Sequence, residues 1–405
     1  MGVNVTPVPD DRRRDFHQVL GVVFGFDAND ADYERMDSYL PWDRARAAFD
    51  GESLVGTLGA FSLDMTVPGG TMACGGTTVV SVLPTHRRRG VLRVMIDSHL
   101  AEVRDREEPV AGLWASDSAI YGRFGYGSAA RATEIEIQRD HGAFHRLVPE
   151  PAPVRLIDKS EAASIFPEFY DDFRLRYPGM FARSEAWWEN RRLFDDRHNR
   201  NGFTGYRFAV TEAAGSVTGY VQYRYKPDWN DGHGEGTIRV VEMFAGEPSA
   251  WAGLWRYLLD HDLTAKVVAP NRSLEDPIFE MLAGRRRAKG TIEDSLWIRI
   301  MDVKRALEGR RYSAPARTVL AVHDPIDGSL TRWQLDLSPA GAAVTATSAE
   351  PEVSMDLEDL GAGLMGWPRF QDLGRIGRLE GDPRILAALD AAFTWSPGPW
   401  CPEVF

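Results

Sequence analysis

Val79–Gly127, VVSVLPTHRRRGVLRVMIDSHLAEVRDREEPVAGLWASDSAIYGRFGYG, decides how the rest of the chain is read. Val79 to Leu83 is a short apolar run, as a buried strand makes. Pro84 ends it, because proline cannot donate to a sheet ladder. The turn His86-Arg87-Arg88-Arg89-Gly90 then opens into a helix, with Leu92, Met95, Ile96, Leu100 and Val103 on one stripe and Arg93, Asp97, Glu102 and Arg104 off it. The first N–H groups of a helix lack internal partners and carry partial positive charge. A glycine at that point lets a ligand approach the backbone closely. Strand, Arg-rich turn, glycine and helix in this order predict a phosphate site.

Downstream, Pro109 to Ala115 reads as a second strand, Ser116-Asp117-Ser118 as a helix-capping cluster, and Ala119 to Phe124 as a short helix closed by Gly125. Two tyrosines, Tyr121 and Tyr126, compete for any acid role, and core packing accounts for either as well. Thr133 to Ile137 alternates and predicts a strand that closes the sheet. Upstream, residues 1–8 predict a first strand. Pro9-Asp10-Asp11 starts a helix with Phe16, Val19, Leu20 and Val23 on its stripe. Phe24 and Phe26 at its end are core residues or lie near an expected substrate mouth. Arg44 to Phe49 and Leu54 to Met65 flank an Asp50-Gly51 turn and predict a hairpin.

A chain of 405 residues exceeds one ordinary core and predicts two or three domains. A hydrophobic content of 43% supports a folded protein. The net charge of −12 argues against a general nucleic-acid binder and favours cationic small molecules or basic peptides. Cys74 and Cys401, far apart, read as reduced thiols of a cytoplasmic protein. The apolar run Val19 to Phe26 sits behind a long polar lead, so no signal peptide or membrane span is expected, although secretion is not excluded by sequence.

Pro149-Glu150-Pro151-Ala152-Pro153 reads as a linker. Beyond it, a helix is expected around Ser184 to Arg192, paired strands at Gly219 to Tyr225 and Thr237 to Phe244, and a helix over Trp251 to Leu259. Asp228 to Glu235, rich in Asn, Asp and Gly, fits a solvated hairpin turn better than a metal site, and no metal is expected. Strands at Arg317 to His323, Thr331 to Leu337 and Ala343 to Thr347 precede helical patterns at Leu357 to Met365 and Pro383 to Phe393. The sequence lacks G-x-S-x-G, H-E-x-x-H, P-loop and C-x-x-C patterns.

Strand, Arg87-x-x-Gly90-x-Leu92, helix resembles the acetyl-CoA pyrophosphate loop of the GNAT superfamily of N-acetyltransferases, with Leu92 where a small residue is usual. PTHRRRG, LWAS, IYGRFGYG, DSLWIRIMD and an aromatic last residue together resemble the enhanced intracellular survival (Eis) acetyltransferases of actinobacteria. The resemblance implies a mixed α/β (α+β) fold: two tandem GNAT-like domains, 1–148 binding acetyl-CoA and 149–305 without cofactor, then a sterol-carrier-like domain, 306–405, ending in the active site.

It further implies that Arg88, Arg89, Gly90, Val91, Leu92 and Arg93 hold the pyrophosphate, and that Val80, Ser81 and Val82 pair with the pantetheine arm. Ser116 and Asp117 would flank that arm or merely cap a helix. Tyr121 would be the general acid and the carboxylate of Phe405 the base, with Glu403 an alternative. The implied reaction is direct attack of an amine on acetyl-CoA, on a multi-amine small molecule such as an aminoglycoside or on lysine side chains, in a homohexamer. A CoA-binding scaffold without turnover, or a lipid carrier fused to a transferase, are the rival readings.

Overall fold

A computed structural model describes residues 2–405. Met1 of the first expected strand lies outside the described residues; β1 is Asn4–Pro7. The chain divides into two compact units. The first comprises the residues up to Ala130 together with Leu296–Pro399 and Glu403–Phe405. The second comprises Arg131–Ser295 and Trp400–Pro402.

In the first unit, α1 (Arg13–Phe24) buries Phe16, His17, Val19 and Leu20 and ends at Gly25, whose φ of 73° favours glycine. Asn29 and Asp32 form a capping box that starts α2 (Asp30–Tyr39). β2 (Arg46–Asp50) and β3 (Ser53–Val67) form the expected hairpin, and β3 pairs from Gly56 to Val67 with β4 (Gly70–Val82). α3 (Val91–Asp105) then carries the chain to β5 (Val110–Trp114), which lies parallel to β4. α4 (Ser118–Tyr121), a turn of 3₁₀ helix over Gly122–Phe124, and β6 (Gly127–Ser128) follow.

The second unit takes β7 (Arg131–Gln138), β8 (Val154–Ile157) and α5 (Lys159–Arg174). The helix expected around Ser184 to Arg192 is only α6 (Glu185–Trp187), continued by a wider turn over Trp188–Arg192. β9 (Arg207–Ala213), β10 (Ser216–Lys226) and β13 (Gly236–Ala245) form an antiparallel run, and β11 (Trp229–Asn230) with β12 (His233–Gly234) makes a small exposed hairpin in the Asp228–Glu235 segment. α7 (Pro248–Leu259), β14 (Thr264–Arg272), α8 (Ile278–Met281) and β15 (Lys289–Asp294) complete a sheet ordered β15-β7-β14-β13-β10-β9-β8.

The chain returns to the first unit as β16 (Leu296–Ile300), which inserts between β5 and β6 to give β1-β2-β3-β4-β5-β16-β6. After α9 (Val303–Glu308) come β17 (Ala316–His323), β18 (Leu330–Ser338), β19 (Gly341–Ala346) and β20 (Val353–Asp356). α10 (Leu357–Gly363), α11 (Phe370–Arg375), β21 (Leu379–Gly381) and α12 (Pro383–Phe393) follow, the sheet running β19-β18-β17-β20-β21.

Three expectations change. Thr133 to Ile137 is a strand, but it pairs with β14 and β15, and Ile135 and Ile137 bury in the second core. In the first sheet the place beside β5 goes to β16, which arrives from far along the chain, and β6 takes the edge. Alternation reports that a strand exists, not its partner. The two compact units therefore meet at Ala130/Arg131 and Ser295/Leu296, and Pro149 to Pro153, expected as a linker, lies inside the second unit. Finally, Phe24 and Phe26 are 48% and 41% exposed, so neither is a core residue.

Candidate functional site

β4 pairs with β5 only from Cys74 to Thr77. Beyond Thr77 the strands part, and the edge of β4 at Val80, Ser81 and Val82 faces a cleft of about 1070 Å³. A bulge makes the parting: the β3 register shifts between Thr57 and Gly59, and Val79 takes φ 46°. That conformation is strained for a β-branched residue and reaims the backbone beyond it. Thr57 pins the bulge by donating its hydroxyl to the Val79 carbonyl at 2.7 Å. Gly59 leaves the necessary room, since a Cβ there would sit 2.8 Å from the Val79 side chain.

Gly90 caps α3 at φ 81°, and it lines the same cleft with Val91, Leu92 and Arg93. The arginines divide their work. Arg89 turns away and meets Asp50 at 2.9 Å, outside the cleft wall. Arg93 is held by Asp97 and by the Ile326 carbonyl. Arg87 and Arg88 line the cleft, and neither makes an ion pair with a described residue. His86 and Arg87 also line the cleft, beside the expected phosphate set. The Arg-x-x-Gly spacing itself singles out Arg87. Ser116 and Asp117 reach the cleft, and Asp117 also caps Ala119 N–H at 3.0 Å, so capping and cleft exposure coexist.

The tyrosines differ sharply. Tyr126 is fully buried and its hydroxyl is 3.1 Å from Thr77 Oγ1, which in turn meets His99 Nε2 at 2.8 Å. Tyr121 lines the cleft, and its hydroxyl makes no hydrogen bond to a described residue. Burial, then the nearby Asp117 charge, pushes the Tyr121 phenol up to about 12, so it stays protonated through the neutral and mildly alkaline range.

His99 behaves in the opposite sense. Burial, with Arg44 and Arg46 nearby, pulls it down from 6.5 to about 3, so it is neutral when folded. Its contribution to stability is fully present above pH 6.5 and is lost as pH falls toward 3. His99→Gln is therefore expected to shrink the loss of unfolding free energy between pH 7 and pH 5 by about 2 kcal/mol, measured in urea. An unchanged pH dependence would show that His99 accepts a proton in the folded state.

Phe405 is 8% exposed. A Cβ on Gly76 would lie 3.4 Å from its ring. Gly75 and Thr77 face Val103 and His99 of α3, so alternation puts Gly76 and Phe405 on the other face of β4. Glu403 is also buried, at 1% exposure. Phe24 and Val23 of α1 line the cleft, whereas Phe26 does not. No helix among the described residues is long and apolar enough to cross a membrane.

The second unit repeats the parallel strand pair at β13 and β14, but its splayed edge is filled from within. Arg272, paired with Asp276, donates to the Met243 carbonyl, and its guanidinium lies 5.0 Å from the ring of Trp400. The turn into α7 presents Glu247 where α3 presents Gly90, a charge that opposes phosphate.

Residues 4–129 and residues 179–300 each match a family described as an acetyltransferase (GNAT) domain, and residues 303–402 match a sterol carrier protein domain. An uncharacterized N-acetyltransferase of Streptomyces avermitilis is 35% identical over 387 residues, 90% of each chain. N-acetyltransferase Eis of Mycobacterium tuberculosis is 33% identical over 365 residues, 87% of each. Among solved structures, Eis1 from Mycobacterium abscessus superposes with a TM-score of 0.85 at 27% identity over the whole of both chains. A GCN5-related N-acetyltransferase from Anabaena variabilis shares the fold, with a TM-score of 0.85 at 18% identity.

Proposed function

The chain belongs to the Eis-like GNAT N-acetyltransferases, and from that premise we propose that its first-unit cleft transfers the acetyl group of acetyl-CoA to an amine of a multi-amine small molecule or a lysine side chain. The observation that carries this reading is one open strand edge, one helix N-terminus with two uncommitted arginines, and one unspent phenol around a single cleft.

The pyrophosphate fits the Gly90 turn, where α3 N–H groups and the Arg87 and Arg88 guanidinium groups supply donors and positive charge. The pantetheine arm fits the β4 edge beyond Thr77, which pairs with no strand of the described residues on that side. Acetyl-CoA supplies the activated thioester. Across the site, an N–C bond forms as the C–S bond breaks, with no covalent link to the protein. Tyr121 donates its proton to the departing sulfur. The Phe405 carboxylate takes the proton from the attacking nitrogen. Amine acceptors suit the −12 charge of the chain, and the exposed Phe24 beside the cleft offers an apolar wall to them. Assembly as a homohexamer and a cytoplasmic location belong to the same proposal.

Arg88→Ala is expected to raise KM for acetyl-CoA about tenfold or more, as loss of a charge-assisted contact does, while kcat at saturation changes little. Steady-state kinetics with varied acetyl-CoA reads this directly. An unchanged KM would remove Arg88 from the phosphate site.

A further inference from the structure

Arg299 lies on β16, with 3% of its side chain exposed. One guanidinium nitrogen donates to the Phe124 carbonyl at 2.8 Å, and the other meets Asp324 Oδ2 at 2.5 Å. Its Nε is buried with no hydrogen-bond partner among the described residues, and Asp324 is the carboxylate that forms an ion pair with this buried charge. Phe124 ends the 3₁₀ turn that directly follows Tyr121. Gly125, next to it, has φ 75°, and a Cβ there would clash with the Arg299 guanidinium.

The contacts continue on the other side of Arg299. Asp324 Oδ1 accepts from Ile326 N–H at 2.9 Å, Pro325 lines the cleft, and the Ile326 carbonyl accepts from Arg93 at 3.0 Å. The loop after β17, in the sterol-carrier-type part, thus ties the turn carrying Tyr121 to the first turn of α3.

We propose that Arg299 and Asp324 are positioning residues, which hold the Tyr121 hydroxyl at the thioester end of the cleft while the Asp324–Ile326 loop holds Arg93 at the phosphate end. The proposal rests on Tyr121 as the acid. It gives the third part of the chain a role in the reaction without a ligand of its own. A buried guanidinium that loses its carboxylate is left uncompensated, so the pair has a strong reason to stay closed. A small misplacement of an acid costs turnover steeply, up to about a hundredfold per ångström.

The test is a double-mutant cycle on the full chain, with kcat read as thiol release from acetyl-CoA. Asp324→Asn is expected to lower kcat about tenfold or more in the wild-type background. In the Tyr121→Phe background it should cost less than about twofold, because the group it positions is gone. Asp324→Glu, which keeps the charge, should recover most of the turnover. Melting temperature and direct acetyl-CoA binding, measured on every variant, separate this from unfolding. An equal loss in both backgrounds, or no loss in either, would overturn the proposal. A Tyr121→Phe enzyme that turns over normally would overturn the acid assignment instead, and the positioning role with it.

Discussion

Tyr121→Phe is expected to lower kcat by about a hundredfold or more, the range a positioned general acid supplies, with acetyl-CoA binding preserved. Phenylalanine keeps the ring that packs 6.1 Å from Tyr126 and removes only the hydroxyl. That hydroxyl has no structural partner among the described residues, so its loss costs the fold little. Tyr126→Phe should behave in reverse. It breaks a buried hydrogen bond to Thr77, worth about 1 kcal/mol of stability, and it should cost turnover far less. Because the Tyr121 phenol sits near 12, the acid should remain competent to strongly alkaline pH. An alkaline limb near pH 8 or 9 would then report the amine or another group. If the two variants lose turnover equally, the acid has been misassigned.

Extending the chain by a few residues past Phe405 is expected to remove turnover by a factor on the order of a hundred to ten thousand, the range of a general base. Phe405 is buried against β4 near Gly76, so an added segment displaces the terminus and replaces its carboxylate with a neutral peptide bond. Acetyl-CoA binding should survive, because Arg87, Arg88 and the β4 edge are untouched. Equal kcat in the native and extended proteins would move the base elsewhere. Glu403→Gln, in parallel, separates a role for that buried side chain from one for the terminus.

Much of this was legible in one stretch of sequence. Pro84, Gly90 and the Leu92–Val103 stripe report backbone chemistry that tertiary context does not override, and the strand–turn–helix formed where they place it. Local signals also placed the Asp50-Gly51 hairpin and the short α4. What stayed hidden was non-local. The Val79 bulge arises because Gly59, on another strand, leaves space for it. β7 joins the second sheet because its partners, β14 and β15, lie more than a hundred residues later. Arg299 reads as one residue of an apolar strand, and its partners Phe124 and Asp324 are 175 and 25 residues away. Within the site, the sequence could not divide the arginines, since only the fold shows Arg89 committed to Asp50 while Arg87 faces the cleft. The resemblance supplied the choice of Tyr121 over Tyr126; both are buried, and of the two Tyr121 lines the cleft.

The most direct test is thiol release from acetyl-CoA by the full-length protein against a panel of polyamines, aminoglycosides and lysine peptides, with product masses measured alongside. Amine-dependent release, matched one to one by acetylated amine, is the predicted result. Tight acetyl-CoA binding with no amine-dependent release from any member of the panel would contradict it and make the cleft a CoA-binding site without turnover.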